Sequence, residues 1–262
     1  MNLSISNIAW DAKDDKEMYH FLKQNNFTGL EIAPTRLIEN NPYSQINQAT
    51  AICNEIYTNY NLSISSMQSI WYGRTENIFH SYTEQESLTQ YTYCAIDFAK
   101  AIQCPNIVFG CPKNRNMDSN AHFKSIIPFF NNIANYALSH NTIIALEPNP
   151  TIYGTNFINT TQEAFNFIKE ISNPGLKVNL DFGTILENNE DLACIEQNLD
   201  CINHIHISEP NLESIKSREL HTELAHILRA CNYSKYISIE MKNQKDLSLI
   251  KDIISYVKEV FS

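Results

Sequence analysis

Four apolar runs in the second half of the chain each end on a residue able to bind a metal. IIALE stops at Glu147, VNLD at Asp181, HIH at His206 and YISIE at Glu240. A carboxylate ending a buried run is costly unless it is paired, so each of these ends calls for a partner. The successive intervals are 34, 25 and 34 residues, each about one helix, one strand and two loops. Three carboxylates gathered around nothing would push one another's pKa upward, and a divalent cation removes that conflict. Three oxygen donors with one imidazole suit Mn2+, Mg2+, Co2+ or Zn2+, and the residue types do not choose among them. His204, two residues before His206, faces the same side of its strand. His206 lies nearer the C-terminal end and is taken as the ligand, with His204 as a deeper, hydrogen-bonded residue. The competing reading, that each acidic end only caps the next helix or meets a basic neighbour, serves for one residue but poorly for four at one register.

Such a set needs parallel strands that end on one face. Strand-like segments LSISNIAW, FTGLEIAP, LSISSMQS, NIVFG, TIIALE, LKVNLD, INHIHIS and YISIEM alternate with helical periodicity. Helices are predicted from near Asp14, then over about 44–60, 83–103, 119–140, 161–171, 189–198, 217–231 and 247–261. Thr160 is the expected N-cap of the fifth of these, and Asn173-Pro174-Gly175 a turn. Eight β/α units predict a (β/α)8 TIM barrel, and the 262 residues are close to the roughly 250 typical of that fold. With no linker composition, 1–262 reads as a single domain. An open doubly wound sheet would want a glycine-rich first turn. The first turn here is IAWDAKD, and no G-x-G-x-x-G or Walker sequence occurs. In a barrel, the four ligand candidates fall at the C-terminal mouth, where barrel active sites lie.

Composition narrows the partners. The net charge of −10, from 29 acidic and 19 basic residues, argues against nucleic-acid binding. No apolar stretch is long enough for a membrane span. MNLSISNIAWDAKDD lacks a basic start and an apolar signal region, so a cytoplasmic protein is expected. Seven cysteines without a C-x-x-C pair read as reduced thiols.

Other residues on the same face are substrate-binding candidates. Arg36, Arg74, Lys113 and Arg115 follow strands two to four and suggest an anionic substrate such as a sugar phosphate; pairing with surface acids is the alternative. Trp10 and Trp71 could wall a sugar ring or pack in the core. Glu31 and Gln68, near the ends of strands two and three, could bond substrate hydroxyls, and Glu31 could instead pair with Arg36. Tyr153 and Asn156 lie in the loop after Glu147, and Glu209 and His221 flank the loop after strand seven.

EPNPTIYG, LDFG, HIHISEP and SIEMK, at these spacings, resemble the xylose isomerase-like barrel superfamily of sugar-phosphate isomerases and epimerases, over essentially the whole chain. The resemblance implies one divalent metal on Glu147, Asp181, His206 and Glu240, with the two glutamates also exchanging protons. It implies an isomerase or epimerase of a free or phosphorylated sugar, acting by proton abstraction beside a carbonyl through an enediolate. It also implies a homo-oligomer. The chain departs from the epimerase branch at three places. Thr184 stands where a histidine is usual three residues after the aspartate. Tyr153 replaces a glutamate six after the first glutamate, and Leu212 an arginine six after the metal histidine. A dehydratase on the same barrel and a non-catalytic metal-binding barrel serving as an interaction partner are the alternatives. An apurinic-site endonuclease would need more metal ligands than strands one to four offer.

Overall fold

Short runs rich in β-branched residues form the strands, and amphipathic stretches between them form the helices. The computed structural model describes residues 1–118 and 123–262. The strands are β1 (Asn2–Ile5), β2 (Gly29–Ile32), β3 (Ser63–Met67), β4 (Asn106–Phe109), β5 (Ile143–Leu146), β6 (Leu176–Asp181), β7 (Ile202–Ile207) and β8 (Tyr236–Ile239). The α-helices are α1 (Asp15–Gln24), α2 (Pro34–Leu37), α3 (Ile46–Tyr60), α4 (Tyr82–Ala101), α5 (Ile127–Ser139), α6 (Thr161–Ile171), α7 (Phe182–Asn188), α8 (Ala193–Glu196), α9 (Glu219–Ala230) and α10 (Leu247–Phe261). Every strand pair is parallel, in the order β1-β8-β7-β6-β5-β4-β3-β2. A bridge from Ser6 to Glu31 joins β1 to β2 and nearly closes the ring. The fold is the expected (β/α)8 barrel.

Several elements differ from expectation: the helix expected over 189–198 is only the short α8, α2 was not expected, and three further differences concern β1, α5 and α7. β1 stops at Ile5, and a 3-10 turn over Asn7–Ala9 takes the chain to Trp10, which is therefore not on the strand. The helix predicted over 119–140 is α5, preceded by a 3-10 turn over Phe123–Ile126; 119–122 lie outside the described residues. A helix that periodicity missed, α7, starts directly after Asp181. The predicted cap of α6 is present: Thr160 accepts from the Glu163 backbone, and the Glu163 carboxylate accepts from the Thr160 N–H.

Alternation along the strands sorts the two faces. Leu30, Ile107, Leu146, Leu180, Ile205 and Ile237 have no exposed surface and belong to the apolar core. Each such side chain contributes about 1.5–3 kcal/mol on burial. Most of the residues between them are polar, Val108 and Ala145 being apolar exceptions. Ser4 on β1 meets Ser65 on β3 at 2.6 Å, past β2, where a Cβ on Gly29 would sit 2.8 Å from that of Ser4. Asn106 donates to Ser66 and accepts from Asn203 of β7, two strands that are not neighbours. The barrel interior is thus a hydrogen-bonded polar column rather than the aliphatic filling common in this architecture. Among the described residues, no helix is long and apolar enough to cross a membrane.

Candidate metal centre

Glu147 and Glu240 lie one residue beyond β5 and β8, where each still donates its backbone N–H to the neighbouring strand, to Phe109 and Ile207 respectively. Asp181 ends β6, and His206 on β7 is its register partner. These positions bring four ligand-type atoms within 4.8 Å of one another. His206 Nδ1 lies 3.0 Å from both Glu147 Oε1 and Glu240 Oε2. His204, one layer deeper, lies outside this group.

The carboxylates are not held alike. Glu147 Oε1 accepts from Asn179 Nδ2 at 2.8 Å, and Oε2 accepts from Asn149 Nδ2 at 2.9 Å. Oε2 also occupies the space of an absent side chain, since a Cβ on Gly110 would sit 2.6 Å from it. Burial pushes the Glu147 carboxyl upward, but His206 and Asn149 outweigh it and hold it below the usual range. Asp181 Oδ2 accepts from the Thr184 backbone at 2.8 Å and lies 2.7 Å from the Thr184 hydroxyl. Its Oδ1 accepts from Ser208 Oγ, which itself accepts from the Gly183 N–H. Burial and then Glu147 still raise the Asp181 carboxyl to about 6. Glu240 is pushed up to about 7, by burial first and then, against His206, by Glu147 and Glu31. His206 is held well above its usual range, because Glu240 and Glu31 outweigh the effect of burial. One imidazolium is thus the positive charge shared by buried carboxylates that resist ionising together. A divalent ion fits this donor set: it supplies the missing charge, and each of the four residues offers one ligand atom.

Above these groups lies a cavity of about 150 Å3, lined by Pro112, Glu147, Asn149, Tyr153, Asp181, Ser208, Glu209, Leu212 and Glu240. A larger hollow of about 520 Å3 opens beside Asn2, Pro105 and Lys235 at the N-terminal strand ends, but only one ligand-type side chain, His204, reaches it.

The structure brings Tyr153 and Glu209 to the cavity and takes the other expected substrate contacts elsewhere. The Tyr153 hydroxyl accepts from the Asn211 N–H, which ties the loop after β5 to the loop after β7. Glu209 is buried and accepts from Arg218 Nε at 2.8 Å. Trp10 packs edge-on to Tyr19 and donates to Asp15; Trp71 packs on Phe109 and donates to Thr92. His221 sits against Phe182 and bonds the Tyr256 hydroxyl. Gln68 donates to Ser6 and Glu31, and Glu31 lies fully buried beneath His206. Lys113 is exposed.

The three arginines are occupied. Arg36 pairs with Asp15, so Glu31 does not have it as partner, and Arg74 pairs with Glu76 and covers the Tyr91 ring. Arg115 has no exposed surface and donates to the Glu147 carbonyl at 2.8 Å and to Asn149 Oδ1 at 2.5 Å. It supports Glu147 from behind and does not line the cavity.

Sequence reasoning passed over Asn149, Asn179 and Ser208. Asn179, two residues before Asp181 on β6, is one that strand alternation would have found, whereas Asn149 and Ser208 lie past the ends of β5 and β7, where alternation does not reach.

No curated protein matches the sequence. Several solved structures share the fold. One is the 3-keto-D-glucoside 4-epimerase of E. coli, with 19% identity, 99% of each chain covered and a TM-score of 0.77. Another is the D-psicose 3-epimerase of Clostridium cellulolyticum H10, with 14% identity, 100% of each chain covered and a TM-score of 0.78. A third is the IOLI protein, crystallised with a binding zinc atom, with 13% identity, 99% of this chain and 96% of that one covered, and a TM-score of 0.75. A family model matches residues 19–260, and by it the chain belongs to the xylose isomerase-like TIM barrel family.

Proposed function

We propose that the chain is a divalent-metal-dependent epimerase or isomerase of an uncharged keto-sugar, working by proton abstraction beside the carbonyl. One observation carries the reading: Glu147 and Glu240, from strands three places apart, converge within 3.0 Å of one imidazole nitrogen at a small cavity. An ion held by Glu147, Asp181, His206 and Glu240 would supply Lewis-acid stabilisation of the negative charge developing on the substrate oxygens. The two glutamates do the rest. One takes the C–H proton beside the carbonyl, leaving an enediolate, and the other returns a proton from the opposite face. Asn149 and Asn179 keep Glu147 in place and ionised, ready to accept. Glu240, 3.0 Å from the same His206 nitrogen but reaching it from β8, is placed to exchange the second proton.

Charge supports an uncharged substrate over a sugar phosphate. The cavity lining includes Glu147, Asp181, Glu209 and Glu240 and no lysine or arginine. A dication offsets two of these charges and Arg218 offsets Glu209, leaving a negative surplus that repels phosphate. That two fold neighbours are epimerases of D-psicose and of a 3-keto-D-glucoside supports the same reaction class. The test is solvent exchange. Metal-stripped protein reloaded with Mn2+ and incubated in D2O with ketoses and ketose phosphates should place deuterium beside the carbonyl of an unphosphorylated sugar. Glu147→Gln and Glu240→Gln should each slow this at least about 100-fold. Exchange confined to phosphate esters would overturn the charge argument. Absence of exchange with every sugar, with Mn2+ bound, would favour the non-catalytic barrel.

A further inference from the structure

We propose that Glu31 is a positioning residue for the metal centre: reaching across the barrel from β2, its carboxylate holds the Nε2 proton of His206 and so fixes the ring with Nδ1 as the ligand nitrogen. This rests on the metal reading above but not on any substrate.

The two ring nitrogens of His206 face different surroundings. Nδ1 looks into the cluster, 3.0 Å from Glu147 and from Glu240 and 3.1 Å from Asn179 Nδ2. Nε2 looks away, 2.9 Å from Glu31 Oε2. A neutral imidazole carries one N–H, and a ligand nitrogen must present its lone pair. With Nδ1 among the other ligands, the proton belongs on Nε2, where a carboxylate is the strongest acceptor available. Metal-bound histidines are ordinarily fixed through their second nitrogen in this way.

Glu31 is placed for that contact, and the same oxygen also lies 3.2 Å from His204 Nε2. It has no exposed surface and does not line the cavity, so it cannot meet substrate. The register of β2 against β3 shifts between Leu30 and Glu31, the kind of irregularity that re-aims a side chain. Its other oxygen accepts from Gln68 Nε2 at 3.3 Å, and Gln68 is itself anchored on Ser6 and Ser69. A buried, unpaired carboxylate would be strongly destabilising. Here the His206 ring nitrogen at 2.9 Å and the Gln68 amide at 3.3 Å answer it.

Glu31, His204 and His206 lie close enough to hold an ion of their own. Filled together with the four-residue site, that arrangement would strip His206 of both ring protons, and it offers only three donors, all buried. A proton between Glu31 and His206 satisfies the same atoms without that cost.

Mn2+ titration of the stripped full-length protein, followed by calorimetry and by the spin-resonance signal of free Mn2+, tests the assignment. Wild type should take up one ion per chain, and Glu31→Gln should bind it about 10- to 100-fold more weakly with unchanged circular dichroism. Should Glu31→Gln not fold, nitrogen-15 histidine NMR of the Zn2+-loaded wild type answers the same question. His206 should carry its proton on Nε2, with Nδ1 shifted by the metal. Equal Mn2+ affinity in Glu31→Gln, or a His206 bound through Nε2, would overturn the assignment and leave the metal centre standing. Two ions per chain, the second lost in Glu31→Gln, would make Glu31 a ligand instead. A wild type that takes up no ion would remove both this inference and the proposed reaction.

Discussion

Asn149 gives its amide N–H to Glu147 Oε2 and its carbonyl to Arg115, so the amide cannot flip without losing both bonds. Arg115 is an expensive way to hold it. Burial lowers the guanidinium to about 10, and its Nε and Nη1 lack hydrogen-bond partners. Those costs partly offset what its two bonds contribute. Arg115→Met should therefore lower the thermal midpoint of the chelated protein by the equivalent of only about 1–3 kcal/mol. It should also raise the Glu147 carboxyl, since Arg115 helps to hold it down. The expected signature is an acid limb of turnover that moves to higher pH while the alkaline limb stays. A limb that does not move would make Arg115 a packing residue. The sequence showed an arginine just after strand four but not what it touches, because a loop side chain no longer obeys the strand's alternation. Glu147, Asp181, His206 and Glu240 lie on their strands or are still hydrogen-bonded to the next one, which is why their convergence was legible, whereas Trp10, beyond the end of β1, was not.

At the scale of elements, α7 and the candidate metal centre share one side chain, that of Asp181. Gly183 and the β-branched Thr184 and Ile185 are weak helix formers, and nothing in FGTILEN announces a seven-residue helix. The helix starts where it does because Asp181 accepts from the Thr184 N–H, while Ser208 of the next loop accepts from Gly183. A tertiary neighbour supplies what periodicity could not show. Thr184, in the place of a histidine common in the epimerase branch, is fully buried and serves this cap. The capping reading of the acidic strand ends was therefore right for Asp181, and it does not exclude ligation, since a carboxylate has lone pairs for both. Asp181→Asn separates the two roles. Asparagine caps helices as well as aspartate does, and it removes a charge that burial and Glu147 have raised to about 6. At pH 7.5 the chelated variant should melt at or above the wild-type temperature, and its stabilisation by Mn2+ should be largely lost. A Mn2+ shift as large as in wild type would exclude Asp181 from the ligands.

For the molecule as a whole, the question is how a chain of net charge −10 keeps so many carboxylates in one barrel mouth. Without a cation it does so by keeping protons, and the direction of each shift gives the pH dependence. Glu240 at about 7 and Asp181 at about 6 lie above their ordinary values of 4.5 and 3.8, and His206 is held well above 6.5. In each case the folded state binds the proton more tightly than the unfolded state. Their stabilisation is therefore full at low pH and lost as pH rises through the folded values. Glu31 and Glu147 are held low, so their contribution disappears only in acid below about pH 4.5. Between pH 5.5 and 8 the chelated protein should thus grow less stable as pH rises. The loaded protein follows the opposite course, because an ion must displace those protons and its apparent affinity rises with pH. The gap in melting temperature between Mn2+-loaded and chelated protein should consequently widen from pH 5.5 to 8, most steeply at the acid end where the ion displaces the most protons, and flatten above the Glu240 value. Melting curves with and without chelator across that range measure it. A gap that stays flat would mean that ion and protons do not compete for the same side chains, and that the four strand ends do not form the metal site.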